Sequence, residues 1–370
     1  MDEPLTNGVD PFLLRASMRL CLLRAAAAAA AAVAAAAPVS PQTLGTWLPT
    51  YGDAETNALQ NASAALAALT KLAAAGANTV YIDAWHGGAT TFPSPTWERA
   101  AGARWPPADA VDYLSFPVSI AKSLGLRVIA WFEYGLAYGG ELQAAQPAWS
   151  IGVDGGFAFM NASNANVGAF LEGITLDALA HQPLLDGVQY DDHFAWPAAL
   201  PAAAGGPSAA EKRAAMTALV TRLRGAVRAA APSALFSFAP NPADSALADQ
   251  NVDWPAWLAA DLVDDIVVQL YCYDADYFAF RLQQQVDALP AVSARKLAPR
   301  LKAGVLLNNG NVSNSNATAM MRAELAAAAN ASAPVGGQVL WYARGILFYQ
   351  FNEVKNVWSG AFERGDGLVV

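Results

Sequence analysis

Cysteine is almost missing from this 370-residue chain, and its scarcity limits what the sequence can build. Of the two cysteines, Cys21 lies in an N-terminal apolar segment and Cys272 stands alone, so we expect no intrachain disulfide once that segment is removed. The histidines are also few and scattered, at His86, His181 and His193. Because these residues lack the spacing of a zinc constellation, we expect no metal site and no cofactor.

Basic residues and phosphate-binding loops are scarce as well. The chain has 22 Lys and Arg against 31 Asp and Glu, a formal net charge of -9. Nucleic acid is therefore excluded as a partner, because phosphate binding needs a basic face. A Gly-x-Gly-x-x-Gly loop, a P-loop and a Gly-x-Ser-x-Gly elbow are all absent from the sequence. What the chain does have is 55% hydrophobic residues, enough for a large buried core.

The first 39 residues have the pattern of a targeting signal. Met18 and Arg19 begin an apolar, alanine-rich run that ends in small residues before Pro38. This pattern predicts an upstream extension and secretory signal peptide over residues 1–39, a single catalytic domain over residues 40–370, and secretion. An alanine-rich helix at the domain edge and an uncleaved membrane anchor remain alternatives. Since Arg24 interrupts the run and alanine is weakly apolar, we expect no stable membrane association.

Strands and helices alternate along the rest of the chain, which is typical of a parallel sheet covered by helices. Eight strands are predicted, with seven helical stretches between them, at residues 44–48, 79–84, 127–133, 187–191, 235–239, 265–271, 302–307 and 337–342. The main predicted helices cover residues 56–75, 116–124, 166–180 and 209–230. This count predicts the α/β class and a (β/α)8 TIM barrel. An open doubly wound sheet is the alternative, but it rarely has eight such units.

Polar and aromatic side chains come where the predicted strands end, and in a barrel the chemistry lies at those ends. Alternation along the fourth strand turns Gln189 and Asp191 toward the barrel mouth, opposite Val188 and Tyr190. The clusters that share this strand-end position supply the candidate site residues Asp83, Trp85, His86, Trp131, Glu133, Tyr134, Gln189, Asp191, Asp192, His193, Asn241, Gln269, Tyr271 and Trp341.

A rim of carboxylates, amides and aromatic rings suits sugar chemistry. Cleaving a glycosidic bond needs a protonated carboxyl group for the leaving oxygen and a second carboxylate for the sugar carbon. Repulsion between the adjacent Asp191 and Asp192 would keep one of them protonated near neutral pH. Each residue also has a structural explanation: a turn for the aspartates, an ion pair for Glu133, core packing for the tryptophans. The coincidence of polar clusters with strand ends favours the functional interpretation.

Several of these stretches resemble the glycoside hydrolase-like family 10 proteins (the DUF187 domain), especially the cyanobacterial-type members. The matching segments are residues 128–135, 186–194, 237–242 and 267–271, and Asp-Gly-x-x-x-Asp-Asp-His-Phe at 186–194 is the most specific. The resemblance covers roughly residues 44–348 and implies a TIM barrel that hydrolyses a polysaccharide. By this likeness Asp192 is the general acid, Asp191 holds or tunes it, and Glu133 is the second carboxylate. Substrate-assisted catalysis through an N-acetyl group stays open.

The chain also departs from the family pattern. Its counterpart of an Asn-Pro turn is Asn161 in a glycosylation sequon, which we expect to stay unmodified if Asn161 lines the cleft. Trp341 is not followed by an acidic residue, so a catalytic acid after the eighth strand is in doubt. With Asn161 added, the candidate residues outside the three acids are expected to bind a polysaccharide or oligosaccharide. A non-catalytic carbohydrate-binding barrel and a non-sugar hydrolase are the competing hypotheses.

Overall fold

The computed structural model describes residues 43–51, 58–105, 111–201, 205–307, 335–341, 343–349 and 351–363. The predicted extension and signal peptide over residues 1–39 therefore lie outside the described residues, as does Tyr342 at the predicted end of the eighth strand. Within the described part of the chain, no helix has both the length and the apolar character to cross a bilayer.

Eight parallel strands close into a barrel. They are β1 (Thr43–Leu48), β2 (Thr79–Asp83), β3 (Arg127–Phe132), β4 (Gly187–Asp191), β5 (Leu235–Ala239), β6 (Asp265–Leu270), β7 (Leu301–Leu306) and β8 (Gly337–Trp341). Each strand pairs with its neighbours in sequence, and β1 closes the barrel on β8. The predicted TIM barrel is thus confirmed, and the alternative of an open sheet is wrong.

Helices surround the barrel. They are α1 (Ala62–Ala74), α2 (Pro95–Ala101), α3 (Phe116–Ser123), α4 (Gly140–Ala145), α5 (Ala165–His181), α6 (Ala209–Ala230), α7 (Ala243–Gln250), α8 (Trp254–Ala259), α9 (Ala275–Asp287), α10 (Ala294–Leu297) and α11 (Phe351–Glu363). The longest, α6, begins where the sequence predicts because Ser208 and Glu211 form a reciprocal capping box. Helix α1 begins six residues later than predicted, because Asn61 caps it by accepting a hydrogen bond from the Ala64 amide.

Apolar side chains fill two layers on either side of the strands. The layer between strands and helices contains Val188 and Tyr190, as alternation along β4 predicts. The layer inside the barrel contains Trp47, Tyr81 and Ile129, together with Trp131, Ala239, Val267 and Val339. The interior is therefore a packed core, and any site must lie at a mouth of the barrel.

A small antiparallel sheet that the sequence analysis did not predict follows β3. Its strands are Ala137–Tyr138, Ser150–Asp154 and Phe157–Met160. The last two form a hairpin in which Asp154 pairs with Phe157 around Gly155 and Gly156. Both glycines have positive φ, 56° and 89°, as a two-residue hairpin turn of this kind requires.

Candidate active site

The predicted acidic residues gather at one mouth of the barrel. Asp83 is the last residue of β2, Glu133 follows β3 directly, and Asp191 and Asp192 end and follow β4. Because β2, β3 and β4 are parallel neighbours, their carboxyl ends meet at the same edge. The structure has the predicted strand order, so these acids lie at the same mouth.

Asp191 is buried and held by three donors. The Trp131 indole donates to Oδ2 at 2.7 Å, and the Asp192 backbone amide donates to Oδ1 at 2.8 Å. The Gln269 amide nitrogen also donates to Oδ1. Burial raises the pKa of Asp191 well above its ordinary value, and the neighbouring charge of Asp192 raises it further. The three donors fix the position of the carboxyl group, and those from Trp131 and the Asp192 amide lower its pKa, but burial and the charge of Asp192 outweigh them and favour its protonated form.

Asp192 is the more accessible member of the pair, with a side chain 26% exposed. The Asn241 amide nitrogen donates to its Oδ2 at 3.2 Å, and His193 Nδ1 lies 3.5 Å from its Oδ1. Burial raises the pKa of Asp192, and this effect outweighs the lowering by His193 and Asn241. Asp192 therefore presents to the mouth a carboxyl group that keeps its proton at pH values above the usual titration range of aspartate.

Glu133 is 9% exposed, and both of its oxygens are engaged. The Tyr51 hydroxyl donates to Oε1 at 2.9 Å, and His86 Nδ1 contacts Oε2. Tyr51 was not among the site residues predicted from the sequence, although its position just after β1 was a signal for it.

Asp83 lies beside His86 and Glu133 and has no exposed surface. The Thr50 hydroxyl donates to its Oδ2 at 2.8 Å, while its buried Oδ1 has no hydrogen-bond partner among the described residues. Burial raises the pKa of Asp83 to about 7; the charge of His86 opposes this rise and the charge of Glu133 adds to it. The buried position favours a supporting role over direct contact with a sugar.

Asp83, His86 and Glu133 each offer one ligand atom, and these atoms lie within 4.8 Å of one another. Among the described residues this is the group that could hold a metal ion. No metal site was expected from the sequence, because its few cysteines and scattered histidines do not form a zinc constellation. A group of one imidazole and two carboxylates, drawn from two strand ends, is not revealed by the spacing of cysteines and histidines.

A row of rings lines the mouth beside these acids. The ring of His86 stacks on Tyr51 at 4.3 Å between centroids and meets the edge of Tyr134 at 4.5 Å. Tyr134 stacks on His193 at 5.7 Å, and His193 lies 4.4 Å from Phe157 of the hairpin. This ring row (Tyr51, His86, Tyr134, His193 and Phe157) is partly exposed and forms a surface suited to the apolar face of a pyranose.

A second aromatic pair stands at the ends of β6 and β8. Tyr271 and Trp341, both partly exposed, stack at 6.1 Å between centroids. Trp341 also meets the edges of Trp131 and Trp47 inside the barrel, at 5.8 and 6.0 Å. The two predicted residues therefore reach the mouth and continue its aromatic core outward.

Three further predicted binding residues are fully buried, like Asp83. The Trp85 indole donates to the Gly135 carbonyl at 3.2 Å, and Trp131 donates to Asp191. Gln189 accepts from the Trp47 indole at 2.8 Å and donates to Ser237 at 2.9 Å. The polar groups of these side chains form hydrogen bonds inside the protein, so their placement favours a role in shaping the floor of the site.

Asn161 directly follows the Phe157–Met160 strand of the small antiparallel sheet. Its side-chain oxygen accepts a hydrogen bond from the Ser163 amide at 2.9 Å and so caps its own turn. Its predicted contact with substrate stays a prediction.

Comparison with protein families assigns the chain. The family described as Glycosyl hydrolase-like 10 matches residues 43–307, which include the acids on β2, β3 and β4. The chain belongs to this family. A comparison with curated proteins gave no match.

Solved glycosidase structures share the family's barrel. The glycoside hydrolase domain of PgaB (BpsB) from Bordetella bronchiseptica has a TM-score of 0.60 and 13% identity, with 87% of this chain and 99% of that chain covered. The α-L-fucosidase isoenzyme 2 from Paenibacillus thiaminolyticus has a TM-score of 0.59 and 11% identity, with 89% and 50% covered. The GH36 α-galactosidase AgaA from Geobacillus stearothermophilus has a TM-score of 0.55 and 12% identity, with 89% and 42% covered. At these identities the likeness concerns the fold.

Proposed function

We propose that this chain is a glycoside hydrolase that cleaves O-glycosidic bonds in a polysaccharide, with amino-sugar polymers as the first candidates. The observation that carries the proposal is the Asp191–Asp192 pair. A partly exposed carboxyl group with a raised pKa stands at the barrel mouth beside a buried one that is fixed by Trp131 and Gln269. Membership in a glycosyl hydrolase-like family supports this reaction class.

In this proposal Asp192 is the general acid that protonates the leaving glycosidic oxygen. Asp191 supports it, since two neighbouring carboxyl groups that share a mouth do not both ionise readily. Acid catalysis of this kind contributes about 100- to 10,000-fold to the rate. Asn241 and His193 contact the acid directly and orient it.

Glu133 is the proposed second carboxylate. Because Tyr51 and His86 engage both of its oxygens, what it offers most directly is a fixed negative charge toward the oxocarbenium-like transition state. Attack by an N-acetyl group of the substrate would need no protein nucleophile and is compatible with this arrangement. The ring row is proposed to stack on the sugar that the acids act upon.

An Asp192→Asn variant tests the proposal because it keeps the size of the side chain and removes the proton donor. We expect turnover of the polysaccharide to fall by about 100- to 10,000-fold while affinity for the chain persists. Asp154→Asn, on the exposed hairpin, is the matched control and should turn over substrate at the wild-type rate. Equal turnover by Asp192→Asn and wild type would refute the assignment. Binding without turnover by the wild type would favour the carbohydrate-binding barrel.

Secretion, with a single catalytic domain over residues 40–370, is proposed together with this activity. A secreted polysaccharide hydrolase meets its substrate outside the cell, and the alanine-rich N-terminal run fits a secretory signal. Amino-terminal sequencing of the exported protein tests this directly. A mature protein that begins near residue 40 supports the proposal, and one that retains residues 18–39 supports the uncleaved anchor.

A further inference from the structure

Asp83, His86 and Glu133 form a compact donor group whose spacing the fold fixes. Two of them sit at the ends of the neighbouring strands β2 and β3, and His86 lies three residues beyond Asp83. One ligand atom from each lies within 4.8 Å of the others. The group therefore combines one imidazole with two carboxylates.

A buried oxygen without a partner provides the second observation. Asp83 has no exposed surface, and its Oδ1 has no hydrogen-bond donor among the described residues. Leaving a carboxylate oxygen buried and unsatisfied is costly, and proteins usually resolve the cost with a donor, a water or an ion. Of these, an ion also accounts for the imidazole and the second carboxylate that converge on the same place.

The outer hydrogen bonds have the arrangement found around metal ligands. Thr50 donates to Asp83 Oδ2 and Tyr51 donates to Glu133 Oε1, so each carboxylate is oriented through one oxygen. The stacked ring of Tyr51 and the edge contact with Tyr134 fix the plane of the His86 imidazole. Such supporting contacts orient the ligands of a metal ion and set its affinity.

We propose that Asp83, His86 and Glu133 bind a divalent transition-metal cation, with Zn²⁺ as the best match. Two carboxylates and a neutral imidazole balance its charge, and mixed nitrogen and oxygen donors suit zinc better than Mg²⁺ or Ca²⁺. Three protein ligands leave a coordination position open toward the mouth. Tetrahedral ligands of zinc lie about 3.4 Å apart, so the group needs only small side-chain shifts. The contact between His86 and Glu133 is replaced by a bond from each to the ion, with release of any proton they share.

The binding of the cation does not depend on the proposed hydrolysis. Glu133 belongs to both, however, and a bound cation would engage the carboxylate that the proposed reaction uses. Ion binding is therefore measured without any sugar, so that either proposal can fail while the other stands.

Equilibrium dialysis of the full chain against ZnCl₂, with bound zinc quantified by mass spectrometry, tests the site. We expect one Zn²⁺ per wild-type chain and at least about 10-fold weaker binding in both Asp83→Asn and His86→Gln. His181→Gln is the matched control and should bind like the wild type. His181 ends α5, is not a member of the donor group, and pairs with Asp112 at 2.8 Å.

Two results would overturn the proposal. One is the absence of stoichiometric zinc on the wild-type chain, and the other is equal affinity in the wild type and His86→Gln. Circular dichroism without zinc shows whether each variant folds. His86 is partly exposed, so His86→Gln keeps the test decisive if the buried Asp83→Asn variant does not fold.

Discussion

The buried carboxyl group of Asp83 should make the stability of the protein depend on pH in a way that one substitution removes. Asp83→Asn keeps the shape of the side chain and an oxygen that can accept from Thr50, but it cannot ionise. In the wild type, burial raises the pKa of Asp83 from 3.8 to about 7. The unfolded chain thus loses this proton first, and the stability contributed by the protonated folded form is lost as pH rises toward 7.

The size of the effect follows from the shift. The pKa of Asp83 is raised by about three units, and each unit corresponds to about 1.36 kcal/mol. Roughly two of these units lie between about pH 5 and the raised pKa, and no further loss is expected from there to about pH 9. Relative to Asp83→Asn, the wild type should therefore lose about 2.7 kcal/mol of folding free energy over this range. Groups remote from Asp83 titrate alike in both proteins, so the difference between the two curves reports Asp83 together with its effect on the pKa of His86.

Urea denaturation followed by tryptophan fluorescence measures the free energy of unfolding at both pH values. A chelator is present throughout, so that a bound cation does not contribute. Asp154→Asn, an exposed carboxyl substitution, is the control and should run parallel to the wild type. If the curves of wild type and Asp83→Asn also run parallel within about 0.5 kcal/mol, the argument that Asp83 is buried and uncompensated is refuted.

Three further predictions concern other contacts. Trp131→Phe removes the 2.7 Å donor to Asp191 and should cost about 1–3 kcal/mol in urea denaturation, and an unchanged midpoint would contradict this. Lys302→Met breaks the buried ion pair with Asp265, and we expect a loss of about 3–5 kcal/mol that a second change, Asp265→Leu, partly restores. The Asn161 sequon should stay unglycosylated in the secreted protein, and full occupancy in a glycopeptide map would contradict a place in the cleft.

The barrel could be predicted from the sequence because its strands are short apolar runs between clear breaks. The limits of β4 and β5 match the prediction residue for residue. Glu133 and Tyr271 were placed on β3 and β6, whereas each lies one residue beyond its strand. The alternation of side chains continues past the last ladder hydrogen bond, so polarity alone extends a strand too far.

The hairpin at 150–160 could have been found but was not. Gly155 and Gly156, between Asp154 and Phe157, form a strong two-residue turn signal. The contact between His86 and Glu133, in contrast, could not have been predicted from the sequence. It joins residues 47 positions apart on two strand ends, and its existence depends on strand order and side-chain rotamers. Sequence patterns predict that such residues share a mouth, but they do not predict which atoms meet.

The pH dependence of kcat/KM for polysaccharide hydrolysis tests the central claim most directly. Because Asp192 must carry a proton to act as general acid, the rate should be high below its pKa and fall as pH rises through it. Burial raises that pKa, so the falling limb should lie above 3.8, the ordinary value of aspartate. The limb should vanish with the activity in Asp192→Asn. A rate that does not fall with rising pH, or a falling limb that survives in Asp192→Asn, would contradict the account.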